Sequence, residues 1–255
     1  RSGLEAYFPR HRGDGALKMS VERYLRDLGN LTERKRVTGT RWNIVGQENW
    51  HDSWRRFIKP RRVGKSFWVT PPWRTAPKFR RRQIITIEPG LAFGTGTHAT
   101  TRGCLEFIEQ VVESFNGRAF TALDGGTGAG ILAIAFAKLG AKSVWAVDND
   151  PVAIKVARQN LRLNKAADKV HLSTVDLRSL RQVFSIAVAN LTAETILELD
   201  DALKKRVARR GWLILSGITT KKAETVLARF QGSFRVARQK RGREWTTLLL
   251  QKKSE

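Results

Sequence analysis

From residue 83 to the end of the chain, short segments typical of buried strands alternate with segments of helical periodicity. Strands that alternate with helices of this length form βαβ units. We therefore predict an α/β fold built on a mostly parallel sheet that helices cover on both faces. The predicted strands are RQIITIEP, AFTALD, SVWAVD, KVHLS, FSIAVAN and GWLILSG, followed by a closing antiparallel hairpin of FRVARQ and EWTTLLLQ.

Local signals give the positions of several predicted helices. In ATTRGCLEFIEQVVESF, apolar residues recur at spacings of three and four from Leu105 to Phe115, which indicates one face of an amphipathic helix. We expect Thr100 to cap the N-terminus of this helix. Pro151 marks the first turn of the helix PVAIKVARQNLRLN, and Gly140 ends the helix ILAIAFAKLG. The other predicted helices are AETILELDDALKKRVA and TKKAETVLARF.

The segment LDGGTGAG, residues 123–130, joins a predicted strand to a predicted helix. Gly126, Gly128 and Gly130 follow Asp124 at alternate positions, which gives an acid-x-G-x-G-x-G pattern rather than G-x-G-x-x-G. Glycine lets the backbone turn sharply and come close to a ligand, and the helix that follows offers unpaired N–H groups. Such a turn can also be a purely structural corner, so its meaning depends on a second feature.

That second feature is Asp148, which ends the next predicted strand 22 residues after Gly126. A carboxylate at the tip of the second strand is where nucleotide-binding α/β folds hold a ribose diol. Together the two features predict a nucleoside site at Gly126, Gly128 and Asp148. Because the glycine spacing differs from that of the dinucleotide-binding turn, we favour a nucleoside that carries no phosphate.

The stretch EPGLAFGTGTHATTR, residues 88–102, is too rich in glycine and threonine to be ordinary core. We expect a loop that lies beside the ligand and leads into the first helix of the α/β region. His98 within this stretch could act as a base or as a hydrogen-bonding loop residue, and we favour the second interpretation.

The chain carries a formal net charge of +24, and its isoelectric point is near 11.2. Residues 1–82 hold 21 Lys and Arg against 7 Asp and Glu, whereas residues 83–255 hold 26 against 16. A strongly positive protein attracts the phosphate backbones of nucleic acids. The charge therefore indicates either proximity to RNA or a solvated basic surface.

Cysteine usage and hydropathy limit the remaining classes. Cys104 is the only cysteine, which excludes an internal disulfide and a cysteine-based zinc site. The sequence has no apolar run long enough to span a membrane. We expect a cytoplasmic, monomeric protein that needs neither a metal nor a membrane.

The two parts of the chain differ in character. Residues 1–66 are predicted to form a small basic α+β region, residues 67–82 a linker, and residues 83–255 the α/β domain. The linker contains PPW and the basic run KFRRR. We also predict a short helix with Trp50 and Trp54 on one face, before the linker, and a strand at SFWVT, residues 66–70.

Five segments, in this order and spacing, resemble the PrmA family of ribosomal-protein methyltransferases. They are EPGLAFGTGTHATTR, LDGGTGAGILAIAFAKLGA, VDNDPVAIKVARQN, VANL and LILSGI, and the upstream ENWHDSWRRFIKP and PPW also match the family. The resemblance covers about residues 47–250 and is not clear in residues 1–46. GLAFGTGTHATT is the discriminating segment, because the glycine turn is common to class I S-adenosylmethionine-dependent methyltransferases.

The resemblance implies a Rossmann-like, seven-stranded class I methyltransferase domain, a linker and a small N-terminal substrate-recognition domain. It implies S-adenosyl-L-methionine as cofactor, with contacts at Thr101, Gly126, Asp148 and Asn190. The substrate it implies is ribosomal protein L11 of the large subunit, methylated on lysine ε-amino or N-terminal α-amino groups. The glycine pattern adds Gly128 to the residues that we expect at the cofactor.

Asn190 ends the fourth strand, at the sheet edge where ligands of open α/β folds bind, and is the catalytic candidate. In many amino-group methyltransferases this corner reads N-P-P-Y and grips a planar amide or adenine amine, whereas here it reads NLTA. The difference favours an aliphatic amine, which Asn190 would orient. Asp176, after the third strand, could accept a hydrogen bond from the adenine amino group or could be a solvated surface residue.

Other functions stay open at this point. The target could be another protein, such as the electron-transfer flavoprotein β subunit, whose lysine methyltransferase is similar to this family. The net charge supports an rRNA methyltransferase as a second class. A third possibility is a nonenzymatic ribosome-binding module, although the intact set of Gly126, Asp148 and Asn190 argues against it.

Overall fold

The computed structural model describes residues 14–31, 58–75, 82–89, 96 and 98–254. The chain divides into two compact units, Arg1–Arg55 and Arg56–Glu255. In the first unit, the described residues form one helix, α1 (Asp14–Leu31). The helix predicted around Trp50 and Trp54 lies outside the described residues.

The second unit begins with a three-stranded sheet of β1 (Arg61–Val63), β2 (Phe67–Thr70) and β3 (Gln83–Thr86). β1 pairs antiparallel with β2, and β2 pairs parallel with β3. The strands predicted at SFWVT and RQIITIEP are therefore confirmed, but the second belongs to this small sheet and not to the large one. The domain limits predicted at residues 66 and 82 stay a prediction, and the division that the structure gives follows Arg55.

The large sheet has seven strands in the order β6-β5-β4-β7-β8-β10-β9. Its first five strands are parallel, and β10 runs antiparallel to both of its neighbours, β8 and β9. The predicted α/β fold, its parallel sheet and its closing hairpin are confirmed. The strands are β4 (Thr121–Gly125), β5 (Ser143–Val147), β6 (Val170–Ser173), β7 (Phe184–Asn190), β8 (Val207–Thr219), β9 (Phe234–Arg241) and β10 (Trp245–Lys252).

Helices cover both faces of this sheet, as buried apolar residues on each face require. On one face pack α2 (Ala99–Ser114), α3 (Ile131–Lys138) and α4 (Pro151–Leu163). On the other pack α5 (Ala193–Glu198), α6 (Asp200–Arg206) and α7 (Ala223–Phe230). AETILELDDALKKRVA was predicted as one helix and is two, which meet at Leu199. There the buried Asp200 carboxylate accepts a hydrogen bond from the Asp201 N–H.

A buried carboxylate fastens the small sheet to α2. Glu109 Oε2 accepts from the Lys65 N–H and Glu109 Oε1 accepts from the Ser66 N–H, both at 2.8 Å. Gly64 makes this approach possible, because a Cβ at that position would lie 2.3 Å from Glu109 Oε2. Burial raises the pKa of Glu109 above its ordinary value, and the two N–H donors oppose that rise.

Asn160 of α4 and Asn164, the C-cap of this helix, hold the end of β3 and the residues that follow it. Asn164 accepts from the Thr86 N–H at 2.9 Å and donates to the Thr86 carbonyl at 2.6 Å. Asn160 accepts from the Glu88 N–H and donates to the Ala129 carbonyl, each at 2.9 Å. Asn160 therefore joins the start of the 88–102 stretch to the glycine turn after β4.

We predict that Asn160→Ala lowers the free energy of unfolding by about 2–4 kcal/mol, because it leaves a half-buried N–H and a buried carbonyl without partners. Chemical denaturation of both proteins measures this difference. The matched control is Gln159→Ala, an exposed position on the same helix, which should change stability by less than about 0.5 kcal/mol. Equal losses in the two variants would contradict the role given to Asn160.

Candidate functional site

The glycine turn between β4 and α3 is tied to the end of β5. Gly126, Gly128 and Gly130 have φ angles of +76°, +52° and +84°, a region that favours glycine. The N–H groups of Gly126 and Thr127 donate to the Val147 carbonyl at 2.8 and 3.0 Å. The sequence alone predicted that this turn and the strand tip after it form one site, and the hydrogen bonds place them together.

Asp148 makes the most direct link between the two strands. Its Oδ2 accepts from the Gly128 N–H at 2.8 Å, and its Oδ1 accepts from the Asp150 N–H at 3.0 Å. An ionised carboxylate has about four acceptor positions, so each oxygen can accept another hydrogen bond. The side chain is half-buried, and its two hydrogen bonds fix its orientation. This suits a carboxylate that accepts a hydrogen bond from each hydroxyl of a ribose.

Asp124 supports the turn from below. Its Oδ2 accepts from Thr127 Oγ1 at 2.7 Å and from the Ala133 N–H at 3.0 Å, so it fixes both the turn and the first turn of α3. Burial raises the pKa of Asp124 to about 7, although these two hydrogen bonds favour its charged form. The sequence showed Asp124 as the acid of the glycine pattern but gave it no role.

A cleft of about 170 Å³ opens beside the turn. Its walls combine apolar side chains with a few polar groups, as expected for a site that takes a planar base. The sequence prediction missed most of these residues, although they follow the carboxyl ends of β5, β6 and β7, where ligands of such sheets bind. Besides Gly126 and Asp148, the lining includes Asn149, Val175, Leu177, Arg178, Leu191, Thr195, Glu198 and Leu199.

Asp176 also lines this cleft. Its Oδ1 accepts from the Arg178 N–H at 2.7 Å, and its Oδ2 pairs with Arg178 Nη1 at 3.2 Å. The side chain is half exposed, so both interpretations made from the sequence are compatible with its position. A contact between Asp176 and an adenine stays a prediction.

The corner after β7 is packed between two glycines. A Cβ at Gly126 would lie 2.3 Å from Leu191 Cδ2, and a Cβ at Gly217 would lie 2.2 Å from the Leu191 carbonyl oxygen. The Leu191 N–H donates to the Ser216 carbonyl at 3.0 Å. Asn190 Oδ1, at the same corner, is buried and has no hydrogen-bond partner among the described residues. The sequence analysis quoted LILSGI but did not assign a role to Gly217.

Ser216 connects this corner to the start of α2. It pairs with Asn190 in the β7–β8 register, and its hydroxyl donates to the Thr100 carbonyl at 3.3 Å. Thr101, the next residue, is fully buried, and its hydroxyl oxygen likewise finds no partner within the part of the chain that the structure describes. Two buried polar atoms in need of a partner, on Thr101 and Asn190, thus lie on segments that Ser216 brings together.

The prediction that Thr100 caps α2 is wrong. The N-cap is His98, whose Nδ1 accepts from the Thr100 N–H and lies 2.7 Å from Thr100 Oγ1. Thr100 and Thr101 therefore lie inside the first turn of α2. An imidazole nitrogen can accept the capping hydrogen bond in the same way as a threonine hydroxyl. The hydrogen-bonding role favoured for His98 is confirmed, and its ring also contacts Trp245 at 5.1 Å between centroids. Residues 90–95 and 97 lie outside the described residues, so the loop around the ligand stays a prediction.

Comparison with known proteins gives a family match over nearly the whole chain. Residues 2–253 match the family described as ribosomal protein L11 methyltransferase (PrmA). A ribosomal protein L11 methyltransferase from Citrifermentans bemidjiense is 38% identical over 251 residues, which are 98% of this chain and 82% of that protein. One from Streptococcus pyogenes serotype M4 is 32% identical over 251 residues, covering 98% and 78%.

Solved structures agree with this match. A ribosomal protein L11 methylase from Lactobacillus delbrueckii subsp. bulgaricus superimposes with a TM-score of 0.68 at 31% identity, covering 76% of this chain and 98% of that one. A magnesium protoporphyrin IX methyltransferase from Synechocystis PCC 6803 shares the fold, with a TM-score of 0.50 at 19% identity over 65% of this chain and 86% of that one. In the described parts of the chain, no helix has the length and apolarity to cross a membrane.

We predict that Gly217→Ala destabilises the protein more than Gly140→Ala does. Both glycines have positive φ, +80° and +90°, so in both variants an alanine in the left-handed region lowers the free energy of unfolding. Only at position 217 does the new methyl group meet backbone, whereas nothing lies within 4 Å of a Cβ at Gly140. Overpacking should cost Gly217→Ala about 1–3 kcal/mol more in the free energy of unfolding. Equal denaturation midpoints for the two variants would contradict this packing at Leu191.

The raised pKa of Asp124 predicts a pH dependence of stability. Because its folded pKa, about 7, exceeds its unfolded value, the folded state holds this proton more tightly between about pH 4 and pH 7. Its contribution to stability is complete below pH 4 and is lost as the pH rises through 7. The free energy of unfolding, measured relative to Asp124→Asn, should therefore fall across this range. A difference that stays constant with pH would show that Asp124 does not titrate as described.

Proposed function

This chain belongs to the ribosomal protein L11 methyltransferase (PrmA) family, and on that premise we propose that it methylates lysine ε-amino or N-terminal α-amino groups of ribosomal protein L11. The enzyme is an S-adenosyl-L-methionine-dependent methyltransferase. One observation carries the proposal: the glycine turn, held to Asp148, adjoins a corner where Asn190 presents a buried oxygen without a partner among the described residues. The NLTA corner suits an aliphatic amine.

The residues of the site fit the cofactor. The Asp148 carboxylate is placed to accept from both ribose hydroxyls, and Gly126 and Gly128 let the backbone come close to the nucleoside. Val175 and Leu177 offer apolar walls for the adenine. Thr101 and Asn190 offer buried oxygens on the two segments that Ser216 joins. When bound, S-adenosyl-L-methionine supplies a methyl group that is already activated by its sulfonium sulfur.

The task of the protein is to align the substrate amine with that methyl group and to exclude water. A lysine amine has an ordinary pKa of about 10.4 and attacks only after it has lost its proton. Asn190 Oδ1 accepts a hydrogen bond from an N–H of the amine and so directs its lone pair. The proton of the amine would leave to solvent, and the bound donor would supply the methyl group to the nitrogen that Asn190 orients.

The wider context is part of the same proposal. The enzyme works as a monomer in the cytoplasm, and its basic surface keeps it near ribosomal RNA. The N-terminal unit recognises the protein substrate. An rRNA target, which the net charge of +24 would favour, fits the NLTA corner less well than an aliphatic amine does.

We predict that the full chain, given S-adenosyl-L-methionine labelled in its methyl group, labels amines of purified ribosomal protein L11. Asn190→Ala should lower the turnover number at least tenfold and change cofactor affinity less, because it removes alignment rather than the ribose contact. Asp148→Asn should instead raise the cofactor Kd by roughly 10–100-fold, as expected for the loss of a charged acceptor. Mass spectrometry and calorimetry measure the two effects.

Asp168→Asn, an exposed position away from the cleft, is the control and should leave both quantities unchanged. When large ribosomal subunits replace the purified protein, the label should again be found in protein. Label in rRNA would favour an RNA methyltransferase, and label in neither would remove the proposed activity. Full turnover by Asn190→Ala would remove the role given to that residue.

A further inference from the structure

The positive charge of the methyltransferase region is concentrated in residues 204–253, which we call the basic wing. These residues include 15 Lys and Arg but only 2 Asp and Glu. Residues 83–203, by contrast, include 11 Lys and Arg and 13 Asp and Glu. The net charge of this part of the protein therefore comes from one continuous segment.

The basic wing is also one region in space. It includes the end of α6, then β8, α7, β9 and β10, and the three strands are neighbours at one end of the large sheet. The cleft lies at the ends of β4, β5, β6 and β7, and none of its lining residues belongs to the basic wing. The cations of the wing therefore lie outside the lining of the cleft, and they are not needed to hold the cofactor.

The outer strand, β9, carries the most accessible part of this charge. Every residue after Phe234 in this strand is exposed, and in the large sheet β9 pairs only with β10. Lys222 and Lys240 are neutralised by Glu194 and Glu106. Arg235 donates to Gln251, whereas the side chains of Arg238, Arg241 and Arg243 form no ion pair or hydrogen bond with the described residues.

These cations point to both sides of the β9–β10 ribbon. Arg238 lies opposite Leu249, and Arg241 lies opposite Thr246, whose side chains face the two sides of the sheet. The ribbon ends beside the active-site edge, since the Trp245 ring contacts His98, and the Thr220 N–H donates to the Glu244 carbonyl at 2.8 Å. A partner held on the ribbon would therefore lie next to the site where methyl transfer occurs.

The arginine and lysine side chains of the basic wing indicate what kind of partner it binds. A peptide that adds a strand to a sheet edge needs open backbone and apolar pockets, and Lys and Arg along an edge oppose such addition. Lys204 and Arg229 pair with Asp200. Edge protection alone would explain the charges on β9 but not the exposed Lys205 of α6 or the exposed Arg209 and Arg210 of β8. Arginine and lysine in this density match the phosphate backbone of a nucleic acid.

We propose that the basic wing is a docking surface for the phosphate backbone of RNA. The identification of that RNA as ribosomal rests on the proposed function, whereas binding itself does not. An enzyme docked in this way holds its catalytic edge near the proteins that share the RNA.

The test uses the full chain and a fluorescein-labelled RNA hairpin, with binding followed by fluorescence anisotropy at several salt concentrations. The variant Arg238→Glu/Arg241→Glu/Arg243→Glu should bind at least tenfold more weakly. The slope of log K against log salt should become smaller by about 2, as expected for three lost phosphate contacts. The matched control, Lys155→Glu/Arg158→Glu/Lys169→Glu, changes the net charge equally at exposed positions near α4 and should lose less than threefold.

Three results would overturn the proposal: no RNA binding by the natural protein, equal losses in the variant and its control, or displacement of the RNA by polyglutamate at equal charge. The last result would indicate an acidic protein partner. The corresponding Arg→Gln triple variant, which should bind more weakly than the natural protein, replaces the Glu variant if circular dichroism shows that the latter is unfolded.

Methyl transfer to purified ribosomal protein L11 and calorimetric binding of S-adenosylhomocysteine are measured on the same samples. Both should be unchanged in the basic-wing variant, because its three substituted side chains are neither in the lining of the cleft nor among the residues assigned to the amine. RNA binding without methyl transfer by the natural protein would contradict the proposed function and leave the docking surface standing. Methyl transfer without RNA binding would contradict the docking surface and leave the proposed function standing.

Discussion

The hydrogen bond from the Gly128 N–H to the Asp148 carboxylate joins the ends of two adjacent parallel strands, and the site is arranged around it. It sets the turn after β4 against the tip of β5, and the Val147 carbonyl reinforces this with two further N–H bonds. Asp124 holds the same turn from the protein interior. The carboxylate is therefore oriented before any ligand binds, which lowers the cost of ordering the site.

Around this link, the rest of the site depends on close approaches of backbone. Leu191 packs against Gly126 on one side and Gly217 on the other, which places Asn190 at the carboxyl edge of the sheet. On the other side of the sheet, Gly103 of α2 comes so near to β10 that a Cβ there would lie 2.3 Å from Thr247 Oγ1. Ser216, 2.8 Å from that hydroxyl, also binds the Thr100 carbonyl. Small residues on two strands, one turn and one helix thus bring the Thr101 and Asn190 segments together.

Features that depend on local sequence were predictable, and features that depend on distant contacts were not. Alternating strand and helix patterns predicted the α/β fold, and the glycine turn with Asp148 predicted that these two segments form one corner, because each signal lies in a few consecutive residues. The family resemblance is confirmed over the chain. In contrast, the parallel pairing of β3 with β2, the bond of Asn160 to Glu88 and the contact of Gly217 with Leu191 join residues far apart in sequence. Thr100 was predicted as the N-cap of α2, but the structure has His98 there. The two residues lie within three positions and both carry a hydrogen-bond acceptor, so the sequence alone does not show which one caps the helix.

The central claim is that the turn at Gly126 and the carboxylate of Asp148 together hold the nucleoside of the methyl donor. A crystal structure of the protein with S-adenosylhomocysteine tests it most directly. The account predicts both ribose hydroxyls within hydrogen-bond distance of the Asp148 carboxylate and the adenine ring between Val175 and Leu177. Density for the ligand elsewhere, with Asp148 still bound only to Gly128 and Asp150, would contradict it.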